Sequence, residues 1–130
     1  IDHQILLTKL NHLGFSPAST DLFGNFLHDR TQIVKANNVQ SNVMNTVRGV
    51  PQGTILGPLL FTLYVNDMKE LVNCEIEQYA DDTLLFTASS DLNEAIRLLE
   101  INCDKIIDYF NIHKLKENVD KTDFLVINGK

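Results

Sequence analysis

The chain has no tryptophan and, in 130 residues, only two cysteines, three prolines and six glycines. Cys74 and Cys103 form no Cys-x-x-Cys pair, and His3, His12, His28 and His113 lie too far from them in sequence to complete a zinc spacing. A disulfide scaffold and a structural zinc module are thereby excluded, and two reduced thiols fit an intracellular protein. Basic residues are scarce too: eleven Lys and Arg stand against seventeen Asp and Glu, a net charge of −6. A chain with a pI near 5.0 does not hold DNA or RNA by a basic face, because that mode depends on Lys and Arg neutralising phosphates. Long hydrophobic runs are missing as well. Residues 55–65 contain Gly57 and Pro58 and fall short of the ~20 residues that cross a bilayer. With no apolar signal-peptide core and no initiator Met, the sequence reads as a section of a longer chain.

What is present is ordinarily globular: 44% hydrophobic and 22% charged. One domain spanning 1–130 is expected, able to bury roughly two-thirds of its unfolded surface without staples. Asp2 can cap a helix carrying Ile5, Leu6, Leu10 and Leu13 that stops at Gly14. After Pro17, a cap at Ser19, Thr20 or Asp21 would open a second helix with Leu22, Phe23, Phe26 and Leu27. The β-branched runs 31–35 and 39–47, separated by Asn37-Asn38, predict a hairpin. A glycine-rich loop, Gly49 to Gly57, then feeds a helix with Pro58 near its first position, running through Leu59, Leu60, Leu63, Tyr64 and Met68. Residues 75–79 and 83–87 predict a second hairpin. Asp91 and Glu94 open a long helix whose apolar stripe is Leu92, Ala95, Ile96, Leu99, Cys103, Ile106, Ile107 and Phe110. A last strand is expected over 123–127. The pattern is α+β with mainly antiparallel strands.

Two segments offer chemistry. At the tight turn of Tyr79-Ala80-Asp81-Asp82, two carboxylates can stay near one point and hold a hard cation such as Mg²⁺, which takes one or two carboxylates together with substrate phosphates. An Asp-Asp pair is also common turn chemistry, so the tetrapeptide alone leaves both readings open. The stretch Gly49-Val50-Pro51-Gln52-Gly53-Thr54-Ile55-Leu56-Gly57-Pro58 places unhindered backbone and one amide side chain before a helix, where a nucleotide's sugar or base could sit. It matches neither G-x-G-x-x-G nor the P-loop, and a structural loop reversing the chain is the alternative.

Taken in order, Arg30-Thr31-Gln32, Arg48-Gly49-Val50-Pro51-Gln52-Gly53, Leu63-Tyr64-Val65-Asn66-Asp67, Gln78-Tyr79-Ala80-Asp81-Asp82-Thr83 and Asn118 to Lys121-Thr122 closely resemble the reverse transcriptase domain of non-LTR retrotransposons. The resemblance runs through nearly the whole chain. It implies an α+β fold, part of a right-hand polymerase palm with some fingers, in which a mainly antiparallel sheet packs on helices. It implies an RNA-directed DNA polymerase using a two-metal Mg²⁺ site, with RNA template, DNA primer and deoxynucleotide as partners. Asp81 and Asp82 would be catalytic metal ligands, Tyr79 and Ala80 would shape the turn under the primer end, and Gln52 and Gly53 would lie against the incoming nucleotide and template. Lys121 would approach the triphosphate.

The resemblance also places a third carboxylate several residues upstream of the position matching Asp2, outside this chain, with most of the fingers and the thumb. Asp2 belongs by pattern to the segment after that catalytic strand. The 130 residues are therefore expected to be inactive alone, to bind nucleic acid weakly and to contact no membrane. Glu117 departs from the pattern, at a place usually apolar. A non-enzymatic retroelement remnant and an acidic binding or scaffold module are the competing readings, and a group II intron type of reverse transcriptase is an alternative within the enzyme class.

Overall fold

The computed structural model describes residues 1–127. Helix α1 (His3–His12) begins as expected: the Asp2 carboxylate accepts from the backbone N–H groups of Gln4 and Ile5, satisfying two of the donors a helix start leaves open. It is followed by Gly14 at φ +87°, a conformation glycine adopts without a Cβ penalty. Helix α2 (Pro17–Leu27) starts earlier than the sequence suggests. Ser16, not Ser19, Thr20 or Asp21, is its cap, and Pro17 occupies the first turn, where its missing N–H costs nothing.

The first hairpin forms as two short antiparallel ladders. Strand β1 (Thr31–Gln32) pairs with β4 (Met44–Asn45), and β2 (Lys35–Ala36) pairs with β3 (Val39–Gln40). Asn37 and Asn38 turn the chain at φ +48° and +63°, as a two-residue hairpin turn demands. Between the ladders two residues, 33 and 34, run beside three, 41 to 43, and this unequal count interrupts regular pairing. All four strands are exposed, so no buried face holds them to longer pairing.

Helix α3 (Leu56–Val65) carries Pro58 as its third residue, and a 3₁₀ segment, Asn66–Glu70, takes over where the helix was expected to reach Met68. Strands β5 (Glu75–Tyr79) and β6 (Asp82–Phe86) form the second hairpin, one residue tighter than expected. Helix α4 (Leu92–Ile112) has the expected Asp91 cap, but its packed face is Asn102, Ile106 and Tyr109. Leu92, Cys103 and Ile107, expected inside, are exposed. Ile96, Leu99 and Cys103 of the expected stripe line a surface hollow together with Phe124.

The expected strand over 123–127 does not form; a 3₁₀ turn, Val119–Lys121, is followed by irregular chain. Phe124, Leu125, Val126 and Ile127 are exposed, and among the described residues no neighbouring strand offers their backbone groups a ladder to join. Among the described residues the expected antiparallel sheet is three separate two-stranded pairs, of which β5–β6 packs on α4.

Two cores hold the molecule. One joins Leu6 and Leu10 of α1, Leu27 of α2, and Leu60, Tyr64 and Val65 of α3; the other joins Met68, Ile106 and Tyr109, with Leu115 packed against both. Each fully buried leucine contributes about 1.5–3 kcal/mol. The accessible surface is nevertheless 10175 Å² for 14.7 kDa, against about 6,900 Å² for a compact monomer of that mass. About half of the unfolded surface is buried, less than the two-thirds expected. The exposed hairpin arm and the uncovered residues 124–127 account for the direction of this difference. Among the described residues, no helix is long and apolar enough to cross a membrane.

Candidate functional site

Asp82 lies opposite Tyr79 at the closing pair of the β5–β6 hairpin, and Ala80-Asp81 is the two-residue turn. Residues directly opposite share one face of a ladder, so Tyr79 and Asp82 face the same side with Asp81 at the tip. Both carboxylates are exposed, and among the described residues neither has a hydrogen-bond or ion-pair partner. Ala80 sits at φ +52°, a left-handed conformation that costs a residue with a Cβ roughly 1–2 kcal/mol. Strain of that kind persists where the surroundings impose it, and it collects at functional turns.

The loop before α3 is built differently. Gly53 adopts φ +74°, while Gly57 has ordinary φ but no room: a Cβ there would lie 2.9 Å from the Pro51 carbonyl oxygen. The Thr54 hydroxyl closes the loop, donating to the Pro51 oxygen at 2.8 Å and accepting from the Gly57 N–H at 3.2 Å. That second bond does for α3 what a capping side chain does. Gln52 and Gly53 are left exposed.

Lys121, also exposed, ends the 3₁₀ turn. Among the described residues no hydrogen bond or ion pair joins it, the hairpin tip and the Gln52-Gly53 loop to one another. The structure thus gathers Tyr79, Ala80, Asp81 and Asp82 on one turn, Gln52 with Gly53 on another and Lys121 on a third. No cluster of three metal-ligating side chains occurs among the described residues.

Several contacts were invisible in the sequence pattern. Asp2 and Arg48 form an isolated antiparallel bridge, the Gly49 N–H donates to the Ile1 carbonyl at 2.7 Å, and the His3 ring lies 2.8 Å from the Gly49 carbonyl. The start of the chain therefore grips the start of the glycine loop. Asp2 is fully engaged: one oxygen caps α1 and the other accepts from Lys114 at 2.7 Å. The Lys114 bond, then the helix N–H groups, hold its carboxyl below the usual range.

A second cluster joins α1, α3 and α4. Lys9 donates to the Tyr64 carbonyl (2.8 Å), to Asp67 (2.5 Å) and to the Tyr109 hydroxyl (2.8 Å). Tyr109 itself lies 2.6 Å from Asp67, and His113 stacks on its ring. Burial alone would raise the Asp67 pKa, but the bonds from Lys9 and Tyr109 outweigh it and the net shift is downward. Burial, reinforced by Asp67, pushes the Tyr109 phenol far up, so it stays a donor. The available signal was Lys9 itself, a charge one turn on from the apolar Ile5 and Leu6, on the same face of α1.

A family profile described as "Reverse transcriptase (RNA-dependent DNA polymerase)" matches residues 1–128. The RNA-directed DNA polymerase from mobile element jockey of Drosophila melanogaster is 29% identical over 127 residues, covering 92% of this chain and 14% of that protein. The probable RNA-directed DNA polymerase from transposon BS of Drosophila melanogaster is 30% identical over 128 residues, with coverage of 92% and 14%. The jockey polymerase of Drosophila funebris is 34% identical over 125 residues, with coverage of 90% and 13%. The chain spans about one-seventh of the length of these curated relatives. No solved structure matches it. The resemblance drawn from the motifs is borne out, and the chain belongs to the reverse transcriptase family.

Proposed function

We propose that residues 1–130 are the part of an RNA-directed DNA polymerase that presents two metal-binding carboxylates and one wall of the nucleotide site, on a partial right-hand palm with some fingers sequence. The observation that carries this reading is the β5–β6 tip, where a strained two-residue turn offers Asp81 and Asp82 with no competing partner among the described residues. Such a pair suits Mg²⁺, which is held by a few carboxylates plus substrate phosphates and not by a closed protein cage. When bound, a metal pair supplies charge neutralisation at the attacking and leaving oxygens of an in-line displacement. Asp81 and Asp82 would hold it, Gln52 and Gly53 would support the incoming deoxynucleotide and template, and Lys121 would approach the triphosphate.

Asp2 takes no part in metal binding, because its two oxygens already serve the helix cap and Lys114. The third carboxylate is proposed to come from outside these residues. That makes the 130 residues inactive alone, and their net charge of −6 makes them weak binders of an RNA–DNA hybrid.

Primer extension on an RNA template with Mg²⁺, by a polymerase chain containing this segment, tests the proposal. Extension lost in both Asp81→Ala and Asp82→Ala is the expected result. Extension that survives both substitutions overturns the site.

A further inference from the structure

The two cores carry the two halves of the proposed site. Val50 and Leu56, flanking Gln52 and Gly53, pack against the first core; Ile76 and Leu85, on the hairpin bearing Asp81 and Asp82, pack against the second. Nucleotide addition needs both halves at one substrate, so the seam between the cores sets how far Gln52 stands from the aspartates. Hydrophobic burial is non-directional and fixes that separation poorly.

A polar cluster occupies the seam. Lys9, whose side chain is 12% exposed, comes from α1 on the first core and donates to Asp67 and to the Tyr109 hydroxyl of the second. The Tyr109 hydroxyl reaches back 3.0 Å to the Tyr64 carbonyl of the first core, and the Tyr64 hydroxyl reaches the His113 carbonyl at the end of α4. The same Tyr64 oxygen lies 3.4 Å from the Asp2 N–H, beside the residues that grip Gly49. Desolvating a lysine is costly, and apolar side chains of similar volume commonly serve stability as well or better. Bonds of fixed length and direction give the seam one register, which an apolar contact would not.

We propose that Lys9, Asp67 and Tyr109 are positioning residues, fixing the nucleotide-facing loop relative to the aspartate hairpin. The proposal rests on the polymerase reading given above.

The experiment measures single-nucleotide addition, with kcat and KM for the deoxynucleotide, in a polymerase chain containing this segment, at a temperature well below each variant's melting point. Tyr109→Phe and Lys9→Met are each expected to lower kcat/KM by about tenfold or more, the order of loss a small misplacement of reacting groups produces. The double variant is expected to lose little beyond either single one, because the three side chains act as a unit. Asp67→Asn keeps the shape and an acceptor for both donors, and is expected to lose less. Values of kcat and KM within about twofold of the parent in folded Tyr109→Phe and Lys9→Met overturn the proposal. If Lys9→Met does not fold, Tyr109→Phe, which removes a single oxygen, decides alone. Asp81→Ala is run alongside. Extension that persists in it overturns the polymerase site, whereas extension lost in Asp81→Ala and unchanged in Tyr109→Phe overturns the positioning role by itself.

Discussion

Asn102 is a fully buried polar side chain in the middle of α4, and its replacement gives a sharp test of how the aspartate hairpin is anchored. Its Oδ1 accepts from the Asn73 N–H at 2.7 Å, and its Nδ2 donates to the Leu98 carbonyl at 2.7 Å. The first bond fixes the chain two residues before β5 begins. Asn102→Ala leaves the Asn73 N–H without its acceptor and opens a void, a loss of about 2–3 kcal/mol. For a chain of this length that lowers the melting temperature by roughly 8–12 °C. Asn102→Leu fills the space but cannot accept, so it should recover only part of the loss. Asn102→Asp keeps the acceptor and sets a carboxylate oxygen against the Leu98 carbonyl; its pKa is raised by burial, so this variant should be more stable near pH 4 than near pH 7. Thermal unfolding followed by circular dichroism reads all three. If Asn102→Leu melts with the parent chain, the bond to Asn73 contributes nothing and the anchoring argument fails.

Ala80→Gly should relieve the left-handed strain at the hairpin tip and, after glycine's entropic cost, stabilise the chain by about 0.5–1 kcal/mol, whereas Ala80→Val should destabilise it. A urea midpoint that falls for the glycine variant contradicts this. Asp2 and Asp67 both hold depressed pKa values in the folded chain. Their stabilisation is complete above the ordinary carboxylate value of about 3.9 and drains away as the pH falls through their lower folded values. Urea midpoints should therefore drop below about pH 4, and Asp67→Asn should flatten part of that drop; an unchanged acid limb in Asp67→Asn speaks against the Lys9–Asp67–Tyr109 cluster.

Local signals carried much of the architecture. Asp2 and Asp91 start helices because a carboxylate satisfies open N–H groups, and Asn37-Asn38 turns a hairpin because asparagine tolerates positive φ. The site segments were legible as motifs: the Tyr79–Asp82 turn and the Gln52-Gly53 loop lie where the pattern put them, at a hairpin tip and before a helix. What the pattern missed depends on contacts distant in sequence. The face α4 buries was misread because Ile107 and Cys103 look like core on a wheel, while Asn102 looks like surface until its partner, Asn73, is known. Residues 123–127 have strand composition, but a strand is a property of a pair, and no partner lies beside them among the described residues.

The most direct measurement is the rate of single-nucleotide addition on an RNA template across a Mg²⁺ titration, comparing a polymerase chain containing this segment with its Asp81→Ala variant. Loss of charge stabilisation at the reacting oxygens predicts a fall of about 10³-fold that excess Mg²⁺ does not restore. A rate within about tenfold of the parent at saturating Mg²⁺, a barrier change of only ~1.4 kcal/mol, would contradict the assignment of the β5–β6 tip as the metal-binding centre.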